Sequence, residues 1–152
     1  MTSHATSTVW RLRLLINDER RGLWGAERRV TLYKRAGESR DHVVLKLLGL
    51  VLFFHPDLVV EHPERVGVYK SDLSRRDARG DVVQWVECGL VSAFKLDRLT
   101  RALGPSVVVE VLKKGTKTAT ELRKSLDEDA AYADRVVVNA VDGAERSHRA
   151  SV

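Results

Sequence analysis

Cysteine is almost missing from this chain. Cys88 stands alone among 152 residues, so no internal disulfide can form, and a reducing compartment, the cytoplasm, is expected. A lone thiol also reads as a small packed side chain rather than a nucleophile. Zinc is disfavoured on the same ground: His42, His55 and His62 lack the HExxH spacing and have no pair of thiols to join. Long apolar runs are missing too. The longest, Leu47 to Phe54, is too short to span a bilayer. The opening MTSHATST has no apolar stretch of the secretory kind, so no membrane partner is expected. There is no glycine-rich phosphate loop, since GTKTAT lacks the P-loop spacing. No serine sits in an elbow motif, so no Ser-His-Asp arrangement is indicated. Aromatic residues make up only 6% of the chain. Trp10, Trp24 and Trp85 read as core or hairpin packing rather than base-stacking platforms. No internal repeat, low-complexity segment or dividing linker occurs.

What remains is the composition of an ordinary globular protein, 43% apolar and 31% charged, long enough for one domain with a full core. Net charge is +5, from 26 basic and 21 acidic side chains. That balance permits nucleic-acid or other anionic partners. The basic residues are scattered, however, as they are on solvated faces.

Residues 1–7 and the tail 142–152 read as disordered, leaving 8–141 as the domain. Segments 8–16 and 26–35 read as two strands of a hairpin. The stretch 37–54 carries Val43, Val44, Leu47, Leu48, Val51 and Leu52 at helical spacing, with His55-Pro56 as its stop. Val59–Glu61 and Val66–Lys70 are candidate short strands. GDVVQWVECGL, residues 80–90, reads as a strand bounded by glycines. Residues 92–103 form a helix with Ser92 as N-cap. The run 106–112 is continuously apolar, as in a parallel strand. The stretch 118–133 is a helix opened by a capping box of Thr118 and Glu121, and 134–141 is a last strand. Helices alternating with buried strands predict an α/β (α+β) protein with a mixed central sheet and helices on both faces.

Glu87 is the anomaly. It lies inside a strand whose neighbours belong in a core, where an unpaired carboxylate costs several kcal/mol. The segment Asp72 to Glu87 reads as a hairpin that places its two ends side by side. Carboxylates on adjacent strands can hold a hard divalent cation such as Mg²⁺, and a nearby cationic side chain can stabilise a transferring phosphate. Asp81 shares a strand face with Glu87 by even spacing and rivals it as a ligand; it also reads simply as a strand-start residue after Gly80. The bland reading of Glu87 is an ion pair with Lys95 or Arg98.

GESRDHVVLKLLGLVLFF, then SDLSRRDARGDVVQWVECGL, then KLDRLTRAL, resembles the YaeQ family, a divergent branch of the PD-(D/E)XK nuclease-like fold. The resemblance covers roughly residues 8–140. It implies a restriction-endonuclease-like sheet with Glu38 ahead of the long helix, Asp72 at the start of the hairpin, and Glu87 in the strand Trp85-Val86-Glu87-Cys88-Gly89. On that pattern Glu38, Asp72 and Glu87 bind Mg²⁺ or Mn²⁺. Two departures stand out. Ser71 replaces a proline, and Gly89 occupies the slot where the wider fold keeps lysine. The implied substitute is Lys95 from the following helix, with Arg98 second. The implied function is a metal-dependent nuclease-like phosphodiesterase on DNA or RNA. The alternatives are a non-catalytic member of the fold binding nucleic acid or a protein, and an interaction protein whose acids form only an ion-pair network.

Overall fold

The structure, a computed structural model, describes residues 8–142; the expected disorder of 1–7 and of the tail from 143 onward lies outside the described residues. Strands β1 (Thr8–Asp18) and β2 (Leu23–Lys34) form an antiparallel hairpin. Their apolar residues alternate with arginines, which turns one side of the ribbon inward. Val30 and Leu32 are buried there, with Leu12 and Leu14 packed beside them. The turn is a single 3₁₀ turn, Glu19–Arg21, closed by Gly22 at φ 65°. The hairpin is a two-stranded sheet of its own.

The main sheet has five strands in spatial order β3 (Val59–Val60), β4 (Leu73–Arg76), β5 (Val82–Cys88), β6 (Val109–Lys114) and β7 (Val136–Val141). The first three run antiparallel and the last three parallel, so the sheet is mixed, as expected. Three helices flank it: α1 (Arg40–Leu52), α2 (Ala93–Ala102) and α3 (Thr116–Asp129). Alternation along β5 feeds two cores. Val86 and Cys88 join α1 and the hairpin, while Trp85 joins α2 and α3. On the α1 side the approach is close: a Cβ on Gly49 would lie 2.8 Å from the Leu73 side chain.

Several boundaries differ from the sequence reading. Helix α1 starts only after Ser39, whose hydroxyl accepts the His42 N–H, so residues 37–39 lie outside the helix and Glu38 stands just ahead of it. It ends at Leu52, before His55-Pro56. Val66–Lys70 is no strand; it is a tight turn with one bridge, Val66 to Tyr69, around Gly67 at φ 58°. The capping box is also corrected. Helix α3 begins at Thr116 behind Gly115, and the Thr118 hydroxyl donates to the carbonyls of Lys114 and Gly115 instead. Strand β6 begins at Val109 because Val107 N–H closes a turn on the Gly104 carbonyl. Asp142, assigned to the tail, accepts a hydrogen bond from the Thr116 hydroxyl.

Candidate functional site

The approach to α1 sets the first group of charges. Glu38, His42 and Lys46 follow one another at four-residue steps, which on a helix share a face. Glu38 Oε2 accepts the Arg35 N–H at 3.0 Å, and Oε1 accepts from Lys46 Nζ at 2.5 Å. His42 Nδ1 lies 3.0 Å from the same Oε1. Lys46 is only 1% exposed and also reaches Glu61, at 3.5 Å. Burial works to raise the Glu38 carboxyl, but the Lys46 hydrogen bond, the Arg35 N–H and the charges of Lys46 and His42 outweigh it. The carboxyl therefore titrates below its ordinary range.

Asp72 stands just ahead of β4 and joins this group to the sheet. Its Oδ1 lies 3.1 Å from His42 Nε2, and its Oδ2 accepts the Cys88 N–H at 2.7 Å. His42 is thus placed between two carboxylates, one at each ring nitrogen, an arrangement that the doubly protonated ring satisfies best. The Asp72 hydrogen bond accordingly raises the imidazole above its ordinary pKa, with the Asp72 and Glu38 charges adding to it against burial and Lys46.

Because Leu73 pairs with Val86, the next step of the antiparallel ladder sets Asp72 beside Glu87. Glu87 is 4% exposed and points to the α2 side with Trp85, two residues earlier. Its Oε1 accepts the Trp85 indole N–H at 2.9 Å and its Oε2 accepts from Lys95 Nζ at 2.8 Å. Burial raises the Glu87 carboxyl more than Lys95 lowers it, and the Asp72 charge adds to the rise. The ion pair with Lys95, one of the two expected partners, is therefore present. Asp72 is the hinge of the site, with Glu38 and His42 on one face of the sheet and Glu87 on the other.

Strand β5 ends at Cys88, and Gly89 follows it at φ 82°. That left-handed backbone disfavours any side chain with a Cβ. The Lys113 ammonium, from the neighbouring strand β6, ends on the Gly89 carbonyl at 2.9 Å. Cys88 beside it is buried, and burial together with the Asp72 and Glu87 charges drives its thiol far above the ordinary range. It is an inert packing residue.

Asp81 does not share the site. It lies in the turn before β5, where its N–H donates to Asp77 Oδ1, and six residues of strand at about 3.3 Å each place it roughly 20 Å from Glu87. Arg98 lies over the Phe94 ring, 5.6 Å from its centre, rather than on Glu87. Four residues to which the sequence reading gave no place in this site belong to it: His42, weighed there only as a zinc ligand, and Lys46, Glu61 and Lys113. The four-residue steps Glu38-His42-Lys46 were the available signal for two of them.

As the side chains stand, among the described residues no group of three or more His, Cys, Asp or Glu is disposed to hold a metal. His42, Lys46 and Lys95 lie against the carboxylates a cation would use, and Glu38 and Glu87 lie on opposite faces of the sheet. The donors themselves are hard oxygens of the kind Mg²⁺ takes.

These features define a mixed α+β protein with a chain of linked carboxylates and cationic side chains, of which Glu87 and Lys46 are buried, across one end of its sheet. The chain belongs to the YaeQ family: the family model described as YaeQ protein matches residues 3–151. Its fold is similar to that of the YaeQ protein from Xanthomonas axonopodis pv. citri, at 22% identity and TM-score 0.69, over 90% of this chain and 73% of that one. It is similar also to the YaeQ protein from Pseudomonas syringae, at 18% identity and TM-score 0.73, over 90% and 72%. No curated protein matches the chain.

Proposed function

We propose that this protein is a metal-dependent nuclease-like phosphodiesterase of the PD-(D/E)XK, restriction-endonuclease-like type, acting on DNA or RNA in the cytoplasm. One observation carries the reading. Asp72 touches His42, which touches Glu38, and the strand ladder sets Asp72 beside Glu87, so three acids far apart in sequence lie along one short path. A core has no use for that grouping on hydrophobic grounds, since each acid needs its own internal cation.

In this reading Glu38, Asp72 and Glu87 would hold Mg²⁺ or Mn²⁺ only after His42, Lys46 and Lys95 are displaced from them and Glu38 and Glu87, on opposite faces of the sheet, both turn toward Asp72. When bound, the ion polarises a phosphodiester and acidifies a water. The chain's own part is positional. The Cys88 N–H and the Trp85 indole fix one oxygen of Asp72 and one of Glu87, leaving the others to their exchangeable cations. Lys95, its side chain one-third exposed, is long enough to leave Glu87 and meet the developing phosphate charge.

A second reading is favoured by the internal pairing itself. With each carboxylate already neutralised by a side-chain cation, the site is self-sufficient, as in a non-catalytic nucleic-acid- or protein-binding member of the fold. Turnover separates the two. Wild type and Glu87→Gln are incubated with single- and double-stranded DNA and RNA in Mg²⁺ and in Mn²⁺. Cleavage by wild type alone supports the enzyme; salt-dependent binding without cleavage supports the binding module.

A further inference from the structure

Four lysines approach the site, and three are bound to acids. Lys46 holds Glu38 and Glu61, Lys95 holds Glu87, and Lys114 holds Asp41 at 2.7 Å. The fourth, Lys113, is 8% exposed. Among the described residues its ammonium meets no acid; it meets the neutral Gly89 carbonyl, which engages one of its three N–H donors. Its buried charge therefore lacks the acidic partner that the others have, and burial alone pulls its pKa below the ordinary lysine range. A buried cation without a counter-charge is poised to receive an anion, because attraction strengthens where water is excluded.

The space for one is present. A cavity of about 510 Å³ opens between α1, the ends of β5 and β6, and α3, lined by Glu38, His42, Gly89, Lys113, Lys114 and Thr118 among others. We propose that Lys113 is the cation of a phosphate-binding subsite in this cavity, taking a backbone phosphate of the bound nucleic-acid strand. The inference rests on the nuclease-like reading, for which it supplies the phosphate contact. The ammonium ends at Gly89, two residues beyond Glu87, so a phosphate held there lies at the edge of the carboxylate cluster. Lysine binds phosphate as a point charge and needs no bidentate geometry. Lys95 is the weaker candidate for ground-state phosphate binding, because it must first leave Glu87.

The test uses the full chain as wild type, Lys113→Met, Lys113→Arg and Lys95→Met. Two probes are titrated: inorganic phosphate, followed by amide NMR shifts of Gly89 and Lys113, and a fluorescent single-stranded oligodeoxynucleotide, followed by anisotropy. The expected result is that the two probes compete. Lys113→Met should weaken both about 10- to 100-fold, the loss of one charge-assisted contact. Lys113→Arg should retain binding, and Lys95→Met should leave phosphate binding nearly unchanged. Unfolding of Lys113→Met is checked by Tm, and Lys113→Gln then takes its place: loss of phosphate binding in Lys113→Gln with retention in Lys113→Arg supports the assignment, and a folded Lys113→Arg that loses phosphate overturns it. Wild-type affinity in Lys113→Met overturns it. Phosphate binding without competition from the oligonucleotide overturns the nucleic-acid source in favour of free phosphate. Lys113-dependent binding without strand cleavage keeps the subsite and removes the nuclease reading. Equal cleavage by wild type and Lys113→Met does the reverse.

Discussion

Replacing Lys95 with methionine isolates the Glu87 pair. Methionine keeps the length of the aliphatic stem and removes the ammonium 2.8 Å from Glu87 Oε2. Glu87 is left buried with only the Trp85 indole N–H as a partner. Stranding one member of a buried ion pair costs about 3–5 kcal/mol. Here the lysine side chain is one-third exposed, so solvent already screens its end of the pair, and about 2–3 kcal/mol is expected. The loss should depend on pH. With its counter-ion gone, the Glu87 carboxyl, already raised by burial, rises further above its unfolded value. The folded state then binds the proton more tightly than the unfolded state, so stability falls as pH rises between the unfolded and folded values. Urea denaturation of Lys95→Met at pH 5 and pH 8 should show the larger deficit at pH 8. Adding Glu87→Gln should recover most of it, because no charge is then stranded. A deficit equal at both pH values, or unchanged in the double variant, would refute the view that Glu87 is an otherwise uncompensated buried charge.

Lys46→Met should destabilise by about 3 kcal/mol, the low end of the range for a broken buried pair, since Glu38 keeps His42 and the Arg35 N–H; Glu38→Gln added to it should restore much of the loss in the same denaturation assay. The His42 ring should titrate above about 6.5, its ordinary value, in an NMR pH series, and Asp72→Asn should bring it back down. Because the folded value is raised, the His42 bridge contributes stability fully below the unfolded pKa and loses it as pH rises through the folded one; a denaturation profile with no such loss relative to His42→Gln contradicts the bridge. Millimolar Mg²⁺ should raise Tm, as any ligand of the folded state does, and more so at pH 8 than at pH 6, where His42 holds its proton between the same carboxylates. Calorimetry showing no heat of binding would favour the ion-pair network.

Much of this layout was legible in the sequence, and the limits have physical causes. The alternation Val82–Cys88 set one strand with two faces, and the polar turn before it gave the hairpin that places Asp72 next to Glu87. The acid inside that apolar strand stood out in the sequence, and Lys95, one of the two partners the helix offered, pairs with it. Lys46 was hidden because it sits within an apolar helical stripe, where only its four-residue spacing from Glu38 and His42 distinguishes it. His42 was weighed as a zinc ligand, and its partners Glu38 and Asp72 come from different elements. Asp81 has the even spacing of a strand partner, but a turn and a register shift between Arg75 and Arg76 place it outside the strand. Lys113 terminates an apolar strand, and only the tertiary neighbourhood shows that its charge meets no acid. The separation of the first hairpin from the main sheet was equally unavailable, since the alternation of β1 and β2 fits a ribbon packed on a helix as well as a sheet edge.

The central claim is that Glu38, Asp72 and Glu87 act as one phosphodiester-cleaving site. Its most direct measurement is cleavage of labelled single- and double-stranded DNA and RNA by purified wild type and Glu87→Gln, prepared in parallel, with Mg²⁺, Mn²⁺ or chelator. The account predicts cleavage by wild type with metal, none with chelator, and none by Glu87→Gln, whose fold persists because the amide keeps the size of the side chain and accepts from the Trp85 indole. Equal cleavage by both proteins, or none by wild type under any of these conditions, contradicts it.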